Sequence, residues 1–268
     1  MRISKQRKKT TLAQQGRYLL ICMLSMMLFF LAGSMIILNR TQRQVYEQLE
    51  EISKLYTDEL DNRFLRISRN LFSTVMDSSN PDSDFWKYMD LMEKDQYEEY
   101  VITQLRKKYV SAAWDFGTDY NVFLYTKKDK SLYQLSISSD GFYAIDPYLQ
   151  EALKCRINSL SQQTYAVKKK WAVMQQGDEV YMLKVAQSQG VGLGCYVNLK
   201  TILEPFSKLS LGKSGYVSLV DQNGKNIVTV TEKGIVRDSS KLDTGNYTFR
   251  QELSQSPFEI RIKISWTG

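Results

Sequence analysis

Between Tyr18 and Asn39 the sequence carries no charged residue and reads YLLICMLSMMLFFLAGSMIILN. These 22 residues, as an α-helix, rise ~33 Å, against a hydrocarbon core of roughly 30 Å. Inside lipid a backbone must satisfy its own hydrogen bonds, so the run predicts a membrane-spanning helix. A cleaved signal peptide needs a shorter apolar stretch. Here the run continues past the small residues Ala32-Gly33-Ser34 through Met35, Ile36, Ile37 and Leu38, which favours an uncleaved anchor. No polar stripe interrupts it, as one would in the core helix of a soluble domain.

Charge then orients the anchor. The net charge is +7, a value that on its own suggests a nucleic-acid partner. Its distribution removes that suggestion. Residues 1–17 hold Arg2, Lys5, Arg7, Lys8, Lys9 and Arg17 with no acid, leaving 30 basic against 29 acidic side chains in the rest of the chain. Only Arg40 and Arg43 follow closely on the other side. The positive-inside bias therefore predicts a cytoplasmic N-terminus, with residues 40–268 extracytoplasmic. No nucleic-acid partner is expected.

Beyond the anchor, apolar residues fall at Val45, Leu49, Ile52, Tyr56, Leu60, Phe64, Ile67, Leu71 and Val75, a helical period with charged residues between them. No Gly or Pro interrupts 41–79, and Ser78-Ser79-Asn80-Pro81 ends the pattern. A second helical block is predicted from Asp84 to Trp114. Strands are then expected at Asn121–Thr126 and Ser131–Ile137, and Asp146-Pro147 opens a helix to Leu160. Three more strands follow: Tyr165–Met174, Glu179–Ala186 and Leu193–Val197. A short helix runs from Leu199 to Leu209. The last part reads as two hairpins, Gly215–Val220 with Lys225–Val230 and Asn246–Leu253 with Phe258–Ser265. Antiparallel hairpins on both sides of one helix make an α+β, PAS-like layout.

The stretch Leu193–Val228, with Gly212-Lys213-Ser214-Gly215-Tyr216 and the turn Asp221–Gly224, resembles the junction between the halves of double-Cache (tandem PAS-like) extracytoplasmic sensors. The resemblance implies a cytoplasmic tail (1–17), a transmembrane helix (18–39) and a stalk helix (40–79). A membrane-distal PAS-like module (80–211) and a membrane-proximal one (212–268) would follow. It further implies the sensing region of a bacterial signal-transduction receptor, dimeric through its stalk and membrane helices; a two-component histidine kinase is the first expectation, and chemoreceptors and cyclic-dinucleotide enzymes share the same input module. With no histidine anywhere, a phosphoacceptor and kinase output would have to lie outside this chain, which reads as a receptor truncated before its output. The family's amino-acid-binding subset carries Arg-x-Trp-Tyr, whereas Trp171 follows Lys168-Lys169-Lys170 and precedes Ala172, so that ligand class is not supported. A membrane-anchored binding or adhesion module without signalling output is the alternative; an extracytoplasmic enzyme is the second.

Chemical motifs are sparse. Zero histidines and three separated cysteines, Cys22, Cys155 and Cys195, exclude a His-based triad and a zinc knuckle. No metal, cofactor or catalytic residue is assigned. Gly212-Lys213-Ser214 lacks the first P-loop glycine, since Ser207 stands in its place. The pairs Asp58 with Asp61 and Glu98 with Glu99 read as solvated helix faces. Cys155 and Cys195 leave a disulfide and two free thiols both open. For a small-molecule ligand the distal module is the better host, and the candidate binding residues are Tyr143, Asp146, Trp171, Tyr181 and Lys184. Aromatic walls with one or two charges give such pockets their shape and orientation. For Trp171 and Tyr181 a plain core role is the competing expectation.

Overall fold

A computed structural model describes residues 3–77, 83–93, 97–117, 119–137, 143–161, 170–209, 211–231, 234–236 and 248–265. The fold is α+β, with one long N-terminal helix and two antiparallel sheets of five strands each. By packing, the chain divides into two compact units, Met1–Ile52 and Ser53–Gly268.

The first unit is the N-terminal part of α1 (Ile3–Met76). From Tyr18 to Leu38 its large apolar side chains are exposed, Phe29 by 81% and Phe30 by 74%. Such a continuous apolar surface marks contact with lipid or a partner. By length and composition, α1 is long and apolar enough to cross a membrane.

In the second unit α1 supplies a buried stripe of Leu60, Phe64, Ile67, Leu71 and Val75, the periodicity expected from the sequence. Upstream the stripe departs from expectation. Ser53 and Thr57 are fully buried, while Ile52 is exposed and Tyr56 half-buried. Small residues there let neighbours approach the helix closely, and Thr57 returns its hydroxyl proton to the Ser53 carbonyl at 2.9 Å. The second predicted helical block is two helices, α2 (Asp84–Met92) and α3 (Glu98–Phe116).

The first sheet has the order β2-β1-β5-β4-β3, built from β1 (Asn121–Thr126), β2 (Ser131–Gln134), β3 (Ala172–Gln176), β4 (Glu179–Ser188) and β5 (Val191–Asn198). Strand β2 is shorter than predicted. Leu135 and Ser136 both donate to the Val122 carbonyl, at 2.8 and 3.2 Å, while the Ser136 hydroxyl accepts from the Val122 N–H at 2.8 Å. Two donors on one acceptor break the ladder. The first residues of the predicted Tyr165–Met174 strand lie outside the described residues, and β3 itself starts only at Ala172.

Between β2 and β3 runs α4 (Pro147–Ser161). Asp146 caps it, accepting from the Tyr148 and Leu149 N–H groups at 3.0 and 3.1 Å, with Pro147 at the first helical position. Leu149, Leu153, Ile157 and Leu160 of α4 pack on Phe123, Leu183, Met174 and Tyr196, forming the core on one face of the sheet. The opposite face looks onto α1.

Helix α5 (Leu199–Ser207) leaves β5 directly. Asn198 caps it, accepting from Lys200 N–H at 2.9 Å. The helix touches β4 and β5 of the first sheet and the second strand of the next. That second sheet has the order β8-β7-β6-β10-β9, from β6 (Tyr216–Asp221), β7 (Asn226–Thr231), β8 (Gly234–Val236), β9 (Phe249–Glu252) and β10 (Phe258–Lys263). The three-residue β8 had no signal in the sequence. The Gly212–Gly215 segment is a tight turn: Gly212 has φ +81°, and a Cβ there would collide with the Ser265 carbonyl.

The two sheets share four strand positions and differ in the fifth, the third strand in sequence lying outside the penultimate one in the first sheet (β3 beside β4) and outside the second one in the other (β8 beside β7). In each, the first strand pairs with the last (β1 with β5, β6 with β10), the second lies outside the first, and the penultimate lies outside the last.

Candidate functional site

Side chains alternate across a strand, so β4 sends Tyr181 and Leu183 to the α4 face and Lys184 to the face that looks onto α1. The five candidates therefore do not form one pocket. Asp146 and Tyr181 belong to the α4 side, and Tyr143 lies against Arg106 of α3. Trp171 and Lys184 belong to the opposite side.

On the α4 side the apolar core gives way, at one end of the sheet, to a hydrogen-bonded cluster. The Tyr196 hydroxyl donates to Gln134 Oε1 at 3.3 Å, and Gln134 Nε2 donates to Asn121 Oδ1 at 3.0 Å. Tyr181 meets Tyr196 edge to face with 6.0 Å between ring centroids, and Phe123 lies 6.1 Å beyond. Burial raises the ionisation point of both tyrosine hydroxyls. The carboxylates of Glu179 and Asp146 raise that of Tyr181 further. Both phenols therefore stay protonated, able to donate and accept. Tyr143 is held by Arg106, whose guanidinium lies 4.5 Å from the ring centroid, while Arg106 Nε donates to the Gln134 carbonyl at 3.1 Å. Through Arg106 and Gln134, Tyr143 is connected to Tyr196 and its neighbour Tyr181. Asp146 spends Oδ1 on the α4 cap and leaves its second oxygen uncommitted to that cap.

Gly194 explains how Phe123 fits beside this cluster. It sits opposite Phe123 across the β1–β5 ladder, and a Cβ on it would overlap the Phe123 ring. The phenyl group takes the space a side chain at 194 would fill.

Trp171 is only 1% exposed and acts as packing. Its Nε1 donates to Ser68 Oγ at 3.0 Å and to the Phe64 carbonyl at 3.3 Å, and its backbone N–H donates to the Gln255 carbonyl at 2.8 Å. One residue thereby ties α1, the edge of the first sheet and the β9–β10 turn. Asp58 and Asp61, expected as a solvated helix face, complete that joint. Asp61 accepts from the Ser254 N–H, the Ser254 hydroxyl and the Gln255 N–H at 3.2, 2.6 and 3.1 Å, and Asp58 accepts from Gln251 at 2.5 Å. Lys184 lies opposite Cys195, and burial pushes its ammonium down to about 8. Cys195 is buried and Cys155 exposed, and both are free thiols.

Tyr196, Gln134, Asn121 and Arg106 escaped the sequence reading. Alternation along Leu193–Val197 does put Tyr196 beside Gly194. Its meeting with Gln134 and Asn121 depends on β5 pairing with β1, about 70 residues earlier in the chain. No local pattern records that pairing. Among the described residues no group of three Cys, Asp or Glu side chains converges to hold a metal. Two protonated phenols, two side-chain amides and an aromatic wall suit recognition of a small polar molecule.

A scan against protein-family models finds no match, and a search of curated proteins finds none either.

Proposed function

We propose that this chain is the sensing part of a membrane-anchored signal receptor of the double-Cache type. Its two PAS-like modules would stand outside the membrane, with a histidine-kinase output beyond the present sequence. The observation that carries this reading is the pairing of the first strand with the last in both sheets, following a helix apolar enough to span a bilayer. The hairpin–helix–hairpin layout of the first sheet and the tyrosine–amide cluster beneath α4 support a small polar ligand in that module. The Trp171 and Asp61 joints offer the transmission route. Ligand-induced movement of the first sheet against α1 would pull on the same helix that enters the membrane. A ligand shifts such an equilibrium only by its preference for one state, ~1.4 kcal/mol for each tenfold. Paired stalk and membrane helices in a homodimer would convert that shift into sliding or rotation.

The test is a thermal-shift screen of the full chain in nanodiscs against small polar metabolites, repeated on Tyr181→Phe and Tyr196→Phe. A hit that stabilises the wild type and is weakened at least fivefold in both variants supports the reading. Hits indifferent to both variants, or turnover of any hit, would place the function elsewhere.

A further inference from the structure

On the opposite face of the first sheet, where α1 meets α5 near the end of β5, lies a cavity of about 130 Å³. It is separate from the cluster beneath α4, and the inference drawn from it does not rest on the sensing role. An apolar cavity of about 150 Å³ is known to hold a benzene-sized guest.

Three aromatic residues line it: Tyr56 from α1, Tyr120 just before β1, and Phe206 from α5. Tyr56 meets Phe206 edge to face at 5.8 Å between ring centroids. Three charged side chains also line it: Glu59, Arg63 and Asp119. Arg63 is already committed, its Nη2 2.7 Å from Glu59 Oε1 and its guanidinium 5.8 Å from the Tyr120 ring centroid. Asp119 has no ion pair among the described residues; its backbone carbonyl accepts from Asn121 at 3.2 Å. The lysines of α5 supply no balancing charge, since Lys200 is paired with Glu179 at 2.6 Å and Lys208 with Glu204 at 3.0 Å. The lining thus combines aromatic rings with a formal charge of −1. Aromatic faces and carboxylates together select an organic cation over an anion.

We propose that this cavity binds a small organic monocation with an apolar body, an alkyl- or arylammonium. Its charged end lies toward Asp119 and its body against Tyr56 and Phe206. Such a guest touches α1 and α5 at once and holds the two helices together.

The experiment is equilibrium dialysis of the full chain in phosphatidylcholine nanodiscs, with empty nanodiscs as the blank. The probes are benzyltrimethylammonium, benzyl alcohol and benzoate. Saturable binding of the cation at least tenfold tighter than either other probe is expected. Asp119→Asn and Tyr56→Leu change side chains that are not fully buried, and each should weaken it at least fivefold with an unaltered melting temperature. Tyr196→Phe, on the other face of the sheet, should leave it unchanged, which separates this site from the cluster beneath α4. Preference for benzoate, equal binding of benzyl alcohol, no saturable binding, or full affinity in both variants overturns the proposal.

Discussion

The Trp171 indole lies stacked on the Phe64 ring, with 4.4 Å between centroids and 26° between planes, and both side chains are almost wholly buried. The contact joins the edge of the first sheet to α1 across more than a hundred residues of sequence. Removing the ring should therefore destabilise the fold. Trp171→Ala is expected to lose ~3–5 kcal/mol in denaturant unfolding. Trp171→Phe keeps the stack, forfeits the indole hydrogen bonds and should lose only ~0.5–1.5 kcal/mol. Equal losses in the two variants would refute the stacking role.

Asp61 holds the β9–β10 turn by three hydrogen bonds to Ser254 and Gln255. Asp61→Ala leaves the exposed Ser254 donors to water and the half-buried Gln255 N–H without its acceptor, at ~0.5–1.5 kcal/mol. Hydrogen exchange should show the Ser254 and Gln255 amides losing protection first, ahead of β6. Unchanged protection at both amides would show that the turn is held by other contacts.

Gly194 gives up its side-chain space to Phe123. Gly194→Ala should cost ~1–3 kcal/mol through overpacking. Combining it with Phe123→Leu should recover part of that loss. A double variant no better than the sum of the two singles would mean that the Phe123 ring is not what the added methyl strikes.

Lys184 gives a pH dependence whose sign follows from its depressed ionisation point. Burial lowers the ammonium from 10.5 to about 8. Between those values the unfolded chain binds more protons than the folded one, so Lys184 contributes increasing stability as pH rises through that window. Opposing groups include Cys195, Tyr109, Tyr120, Tyr133, Tyr181 and Tyr196, all raised chiefly by burial, which withdraw stability at higher pH. The difference in unfolding free energy between wild type and Lys184→Met isolates the lysine. It should move in favour of wild type by up to about 3 kcal/mol from pH 7 to 10. A flat difference would show that the amine is solvated in the folded state.

The three cysteines provide a native topology probe. Cys155 is exposed on α4, Cys195 is buried in β5, and Cys22 lies in the apolar run. A membrane-impermeant maleimide added to spheroplasts should label the chain once, at Cys155, without lysis. Labelling that requires lysis would put the sheets on the cytoplasmic side and end the receptor reading.

Much of this architecture was legible because it rests on local physics. Strand β1 follows from its run of β-branched and aromatic residues, and the turn at Asp221–Gly224 from its turn residues. The Asp146-Pro147 helix start is equally local, set by a cap and a fixed φ. The candidate site was less legible, because a site is a product of pairing. Tyr181 and Lys184 look alike as members of one strand, yet an odd separation of three positions sends them to opposite faces. Trp171 has the composition of a pocket wall, and only its meeting with Phe64 and Ser68 makes it packing. Asp61 looks like any solvated helix carboxylate until the chain returns with Ser254 and Gln255, 193 and 194 positions later.

That each sheet joins its earliest strand to its latest has a consequence for biogenesis. A ribosome delivers β1 and β2 well before β5, so the hairpin must wait with one hydrogen-bonding edge bare. The same delay recurs between β6 and β10. Both lobes should acquire their centres late and slowly, through contacts distant in sequence. A stall in translation shortly before either closing strand would leave an aggregation-prone half-sheet.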